Sequence, residues 1–597
     1  MCGIAGVMNR DGSTPDVAVL DALEAALRHR GPDGEGRRVS GGLGLVQTRL
    51  AIIDLETGDQ PLYEPGGAAL IANGEIYNYL ELREELMAGA SGSANRVEFS
   101  THSDCEPALH LYRRLGLDFA ERLRGMYAVA VSDPVEDQLV LARDPFGIKP
   151  LYYAETSDAF VFASEPQALV RAGLVRSEIL PRARNELLEL QFSTGRKTLF
   201  QGVQRVLPGE TLVVRAGRVI ERRRRAPLPG GRPRDWTEAE ALERLETALM
   251  DSVDVHQRSD VPYGLFLSGG IDSSAILACM ARLNDQPVRS FTAGFPASGV
   301  YDERDHARKL AKSVGAEHTE VEVTDNDFWS LLPEIAAAVD DPAADYAIVP
   351  TYKLAATASQ ELKVVLCGEG GDEIFAGYGR YRSALRPWWL GGRALRARGI
   401  LDGLGVLRQE LRGWRDGIVA AQSLSAEGDR TRLQITQAVD VADWLPNDLL
   451  IKLDRCLMAH GLEGRTPFLD RRVAGVGYRL DDGLKIRDGR GKYLLRKWLE
   501  SALPGSEPFA KKRGFTVPVA EWILEQGGRL GPLVAAQPGV AEVCQPDRVR
   551  ALFRKSGKRA GLATWNLLFY ALWHHAHVVG GARGGDVFET LNDAAPS

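Results

Sequence analysis

Cysteine is scarce: six in 597 residues, at positions 2, 105, 279, 367, 456 and 544, with no CxxC pair and no metal-type spacing. They are too few to staple a chain this long, so a reducing, cytoplasmic setting is expected. Long hydrophobic runs are also missing, since no stretch reaches the roughly 18 apolar residues that a membrane span needs. The opening Met1-Cys2-Gly3-Ile4-Ala5-Gly6 carries no basic region ahead of an apolar core, which argues against secretion. Positive charge is not in excess either: 73 Lys and Arg stand against 80 Asp and Glu, a net −7. Such a chain has no global attraction for nucleic acid or an anionic membrane, and neither is an expected partner.

What is present is an ordinary globular composition, 44% hydrophobic and 26% charged, at a length that one core does not usually serve. From Cys2 to about Val214, the runs CGIAGV, GLGLVQTRLAII, AALIANGEIYN, MYAVAVSD, QLVLARD and AFVFASE alternate with turns and read as antiparallel strands. Leu20, Leu23 and Leu27, then Leu109, Tyr112 and Leu115, fall at helical spacing between them. This predicts a layered α+β domain over residues 2–220. A stretch rich in arginine, proline and glycine, Glu221 to Pro233, places a linker at 221–235. Its four consecutive arginines read as a solvated linker rather than a nucleic-acid patch, given the acidic chain around them.

Beyond Trp236 the rhythm changes to alternating strands and helices: strands at 263–267, 288–295, 319–323 and 363–366, helices at about 273–283 and 302–314. That pattern predicts an α/β domain with a doubly wound parallel sheet, 236–580, with its ligand beyond the carboxyl ends of the strands. The part after about Trp388 reads as extra helices, and 581–597 as a frayed tail.

Two constellations carry chemistry. Cys2 follows the initiator methionine, and removal of Met1 would leave a thiol and an α-amine on one residue, the amine titrating near enough to neutrality to serve as its own base. Around it stand RHRGPD (28–33), RLAIID (49–54), NGEIYN (73–78) and Ser103-Asp104. Arg49 offers a fork for an α-carboxylate, Glu75 and Asp104 match an α-ammonium, and Asn73 with the Gly74 N–H could hold an oxyanion. These motifs, in this order and spacing, resemble the glutaminase domain of class II glutamine amidotransferases. The resemblance implies a four-layer αββα fold of the N-terminal nucleophile hydrolases. It further implies that Cys2 attacks the glutamine carboxamide, with Arg49, Leu50, Ala51, Ile52, Ile53, Asn73, Gly74, Glu75 and Asp104 binding glutamine.

The second constellation is Ser268-Gly269-Gly270-Ile271-Asp272-Ser273-Ser274, which follows an apolar strand and opens a helix, so its N–H groups and hydroxyls face an anion. It is not a Walker A loop, which ends in GK[ST]. A second loop, Cys367-Gly368-Glu369-Gly370-Gly371-Asp372-Glu373, also follows a strand and carries three acids. With SFTAGF (290–295), LPNDLL (445–450), KLDR (452–455), PFLD (467–470) and KYLLR (492–496), these loops resemble the synthetase domain of asparagine synthetases, in the ATP pyrophosphatase group. The resemblance implies that Phe266, Ala293, Cys367 and Gly368 line the adenine and ribose site, and that Ser268, Gly269, Gly270, Asp272, Ser273 and Ser274 grip the ATP pyrophosphate. It also implies that Asp272 and Asp372 hold Mg²⁺, that Glu369 assists attack of ammonia, and that Lys492 steadies phosphate charge.

The implied reaction is ATP- and glutamine-dependent amidation of aspartate, with ammonia passing through a tunnel between Cys2 and Glu369. Cys367, Cys456-Leu457 and Gly464 depart from the family pattern, the last two near the expected acceptor pocket, so another carboxylate in a sugar or natural-product pathway stays open as acceptor. Cyclising relatives need no ammonia, and the intact Cys2, Arg49, Asn73, Glu75 and Asp104 argue against them; intact motifs in both halves argue against a non-catalytic sensor. Relatives of this architecture often dimerise, so a homodimer is also expected.

Overall fold

The computed structural model describes residues 2–593 apart from 89–95, 297–302, 387–388, 390–394, 511–516 and 582–583. The first half holds two six-stranded sheets. One runs in the order Gln204–Arg205, Tyr152–Glu155, Ala159–Ala163, Gly3–Asn9, Leu43–Arg49, Gly34–Ser40, and the other in the order Arg218–Arg224, Glu210–Arg215, Gln138–Arg143, Gly125–Asp133, Ala69–Ile76, Leu62–Tyr63. Every pairing in both is antiparallel. Alternation along the strands sends one set of side chains between the sheets, where Ile4, Leu45, Phe160 and Phe162 from the first meet Ile71, Ala128, Leu141 and Leu212 from the second in one apolar cluster. The helix Val17–Leu27 covers the outer face of the first sheet, and Glu106–Leu115 packs on the second.

The second half carries a five-stranded, all-parallel sheet in the order Glu317–Glu322, Arg289–Gly294, Tyr263–Phe266, Val364–Leu366, Glu463–Arg465. Chain order runs outward from Tyr263–Phe266 on one side and then resumes on the other at Val364–Leu366. The switch point therefore lies between these two strands, and the loops that follow them, 267–270 and 367–370, sit side by side at the carboxyl edge. The helix Glu238–His256 opens this half behind a capping box in which Thr237 and Glu240 satisfy each other's backbone N–H groups. Among the described residues no helix is long and apolar enough to cross a membrane, and all six cysteines are buried and free.

Two boundaries differ from the sequence reading. The arginine run expected in the linker 221–235 begins instead as the end of the edge strand Arg218–Arg224, paired with Glu210–Arg215 through a turn at Ala216 (φ 45°) and Gly217 (φ 66°). Charged side chains on an edge strand keep it from recruiting a further strand, so the arginines suit the position. The segment 581–597, expected to fray, contains the helix Val587–Asp593, whose Val587, Phe588 and Leu591 are buried against the helices Asp325–Ala338, Gly527–Ala536 and Lys558–His574. Positions 594–597 lie outside the described residues. The polar edge strand Gly34–Ser40 and the short strand Glu463–Arg465 carry too little apolar pattern to be foreseen.

Candidate active sites and their connection

Gly3 pairs opposite Thr48, so Cys2 enters the first sheet beside Arg49 and Leu50. A Cβ on Gly3 would come within 2.6 Å of Thr48 Oγ1, which is why the strand can only start this tightly with glycine. From the second sheet Asn73 reaches across: its Oδ1 lies 3.2 Å from Cys2 N, while its buried Nδ2 has no hydrogen-bond partner among the described residues. Gly74 (φ +151°) has no room for a Cβ, which would meet Met126 O at 2.1 Å. Burial pushes the Cys2 thiol above its ordinary pKa, against the Leu50 N–H and the Gln47 amide, so the resting thiol keeps its proton.

Glu75 and Asp104 are both buried near Cys2. Burial, then the Asp104 charge, holds the Glu75 carboxyl well above the usual carboxylate range, and burial raises Asp104 to about 6 even though its Oδ2 accepts the Ile76 N–H at 2.7 Å. Two acids that resist ionisation side by side form a site that a substrate cation would relieve. Arg49 is nearly buried, and its guanidinium donates to the exposed Asp59 carboxylate at 2.7 Å and to the Asp54 carbonyl. The loop Leu50, Ala51, Ile52 and Ile53 is tied down by Asp33, whose Oδ2 accepts the Ala51 N–H at 2.8 Å. Leu50 and Ile52 pack on Val364 and Met458 of the second half.

At the switch point a cavity of about 310 Å³ gathers Phe266, Ser268, Gly270, Asp272, Ser273, Ala293, Cys367, Gly368, Glu369 and Asp372. Gly269 (φ +68°) shapes the turn without lining it, and Ser274 is buried in the helix Ile271–Leu283. Lys492 Nζ bridges Asp272 Oδ2 at 2.5 Å and Asp372 Oδ1 at 2.6 Å. Its backbone is in the left-handed region (φ 60°), a strained conformation for a side-chain-bearing residue and one that places it at the start of the helix Tyr493–Ala502. Desolvation raises the Glu369 pKa, partly offset by Lys452.

Lys452, buried and 3.1 Å from Asp345, also lines the cavity, a position that the KLDR motif alone does not reveal.

The two sites are joined by charges that the sequence does not reveal. Arg30, fully buried, donates to Cys2 O at 3.2 Å, to Glu165 at 2.8 Å and in a fork to Asp454 at 2.8 and 3.0 Å. Asp454 in turn accepts from Arg455, which pairs with Asp340 at 2.8 Å. Arg465 lies 3.5 Å from Glu75, and its own C=O accepts the N–H of Cys367 at 2.7 Å, so one residue touches both sites.

A chain that starts with such a thiol site and continues into a parallel-sheet site built from two glycine-acid loops defines an amidotransferase fused to a synthetase-type domain. Two family models match it: a glutamine amidotransferase domain over residues 1–224 and asparagine synthase over 244–575. The chain belongs to the glutamine-hydrolyzing asparagine synthetase family. It is 33% identical to asparagine synthetase [glutamine-hydrolyzing] 1 of Bacillus subtilis, over 97% of each chain. It is 34% identical to a putative asparagine synthetase of Mycobacterium tuberculosis (96% of this chain, 97% of that one) and 30% identical to asparagine synthetase B of Escherichia coli (88% and 83%).

Proposed function

We propose that this chain forms asparagine from aspartate, ATP and glutamine, releasing AMP, pyrophosphate and glutamate. In the first site, with Met1 removed, the Cys2 α-amine takes the thiol proton as sulfur attacks the glutamine carboxamide carbon. The oxyanion is received by Asn73 Nδ2 and the Gly74 N–H, the C–N bond breaks, and ammonia leaves with the proton. Water then hydrolyses the glutamyl thioester. Glu75 and Asp104 hold the substrate ammonium, and Arg49 its carboxylate. The single observation that carries this half is Asn73, anchored to Cys2 through Oδ1 and leaving its amide N–H₂ unspent.

In the second site the loops 268–274 and 367–372 receive ATP, Phe266 and Ala293 lining the base. The aspartate carboxylate oxygen attacks the α-phosphorus, pyrophosphate leaves, and ammonia attacks the acyl carbon to expel AMP. Glu369, with its raised pKa, is suited to take the proton released from the attacking nitrogen. Asp272 and Asp372 converge on one point, and two hard carboxylate oxygens beside phosphates fit Mg²⁺, which would neutralise phosphate charge there. Lys492 already supplies a positive charge at that point.

The arrangement of the sheets fits the four-layer αββα class for the first half and the ATP pyrophosphatase class for the second. Ammonia stays useful as a nucleophile only while unprotonated, so a shielded route past the buried seam of Arg30, Lys149 and Gly464 serves both sites. The test is pyrophosphate release with Mg²⁺-ATP and ammonium, aspartate against other carboxylates. Aspartate-dependent pyrophosphate with equimolar asparagine is expected; turnover only with another carboxylate would overturn the acceptor.

A further inference from the structure

A cavity of about 560 Å³ lies outside both sites, within the usual size range of small-molecule pockets. It takes its walls from both halves: the helix Pro166–Arg171, the helix Asp325–Ala338, the turn His575–Val579 and the helix Val587–Asp593. Among the described residues, two polar groups in its wall are buried with no hydrogen-bond partner. His575 is 3% exposed and neither ring nitrogen has a hydrogen-bond partner; Thr590 is 5% exposed and its hydroxyl has none. Native proteins rarely leave such groups empty, because each pays its desolvation in full.

The charged groups of the lining divide into spent and unspent. Arg455 pairs with Asp340 at 2.8 Å, and Glu165 with His29 at 3.0 Å and Arg30 at 2.8 Å. The exposed Arg171 forms no ion pair among the described residues, and the exposed Glu334 only accepts the Tyr352 hydroxyl at 2.6 Å. Among the described residues, the unspent set is thus one cation, one anion and two neutral hydrogen-bonding groups. Glu334 would repel a simple anion and Arg171 a simple cation, whereas a zwitterion is attracted by both.

We propose that this cavity binds a free α-amino acid, its carboxylate on Arg171 and His575 and its ammonium on Glu334, as an effector of the thiol site. The cavity floor includes Glu165, which grips Arg30, and Arg30 grips the Cys2 carbonyl. Occupancy is therefore two contacts from the nucleophile, and the coupling runs in both directions.

The experiment is calorimetric binding of the twenty L-amino acids to the full chain without ATP, and to Arg171→Ala, Glu334→Gln and His575→Phe. The first two lie at exposed positions and leave folding intact. The expected result is one amino acid whose binding each change weakens at least tenfold. Its α-hydroxy-acid analogue should bind at least tenfold more weakly. Saturating it should alter glutamine-dependent but not ammonium-dependent amide formation at least threefold. Glutamine and aspartate aside, which have the two sites already described, binding that survives all three changes, or no binding at millimolar concentration, overturns the site; equal binding of the analogue overturns the ligand class; unaltered glutamine dependence overturns the effector role. Because binding is read without turnover, absence of glutaminase activity would refute the proposed function and leave this site to be judged on its own.

Discussion

Asp104 offers the sharpest test of the thiol site. Its carboxyl is buried beside Glu75 and raised from 3.8 to about 6, with burial as the largest cause. An acid whose folded pKa lies above its unfolded value binds its proton more tightly when folded. Its ionised form therefore costs stability at neutral pH, and the cost fades as pH falls through about 6 toward 4. The distance between those pKa values corresponds to about 3 kcal/mol. Asn in its place keeps an acceptor for the Ile76 N–H and carries no charge, and it also removes the second-largest influence that holds Glu75 up. Asp104→Asn should raise the apparent melting temperature by several degrees at pH 8, with the gain shrinking to nothing near pH 4. Its KM for glutamine should rise at least tenfold, because the ammonium loses a charged partner. In the parent protein the same KM should climb as pH drops below about 6. Scanning calorimetry across pH with a glutaminase assay reads all of this. A variant destabilised at pH 8, or equally shifted at every pH, would refute the reasoning.

Three further outcomes are expected. Cys2→Ala should abolish glutamine hydrolysis and keep ammonium-dependent amide formation within a few-fold of the parent, read by paired glutamate and asparagine assays. Lys492→Met removes the cation shared by Asp272 and Asp372 and should lower pyrophosphate release by about 10²–10³-fold, with glutamine hydrolysis little changed. Arg30→Met takes the fork from the buried Asp454 carboxylate and one partner from Glu165, at about 3–5 kcal/mol, and should cut glutamine-dependent synthesis more than ammonium-dependent synthesis while lowering the denaturant midpoint.

The sequence by itself showed two unlike halves and the motifs in each, because that information is local. Alternating apolar runs and a positive-φ glycine before a helix are read from neighbours along the chain, and so the inner strands, the two glycine loops and the order of Cys2, Asn73, Glu75 and Asp104 were legible. The edges were not: Gly34–Ser40 and Arg218–Arg224 pair on one side only and have no need of an apolar face, so the first shows no strand pattern and the arginines from 222 read as linker. The helix Val587–Asp593 is seven residues long, too short to declare itself without the helices that bury it.

Only the tertiary structure decided what joins the sites. Arg30 meets Asp454 across 424 positions, and Arg465 meets Glu75 from the far half of the chain. A charge is buried only where its partner is brought to it, and that placement is a property of packed sheets rather than of any run of residues. The same is true of His575 and Thr590, whose unmet hydrogen-bonding capacity among the described residues exists only because segments far apart in the chain close around them.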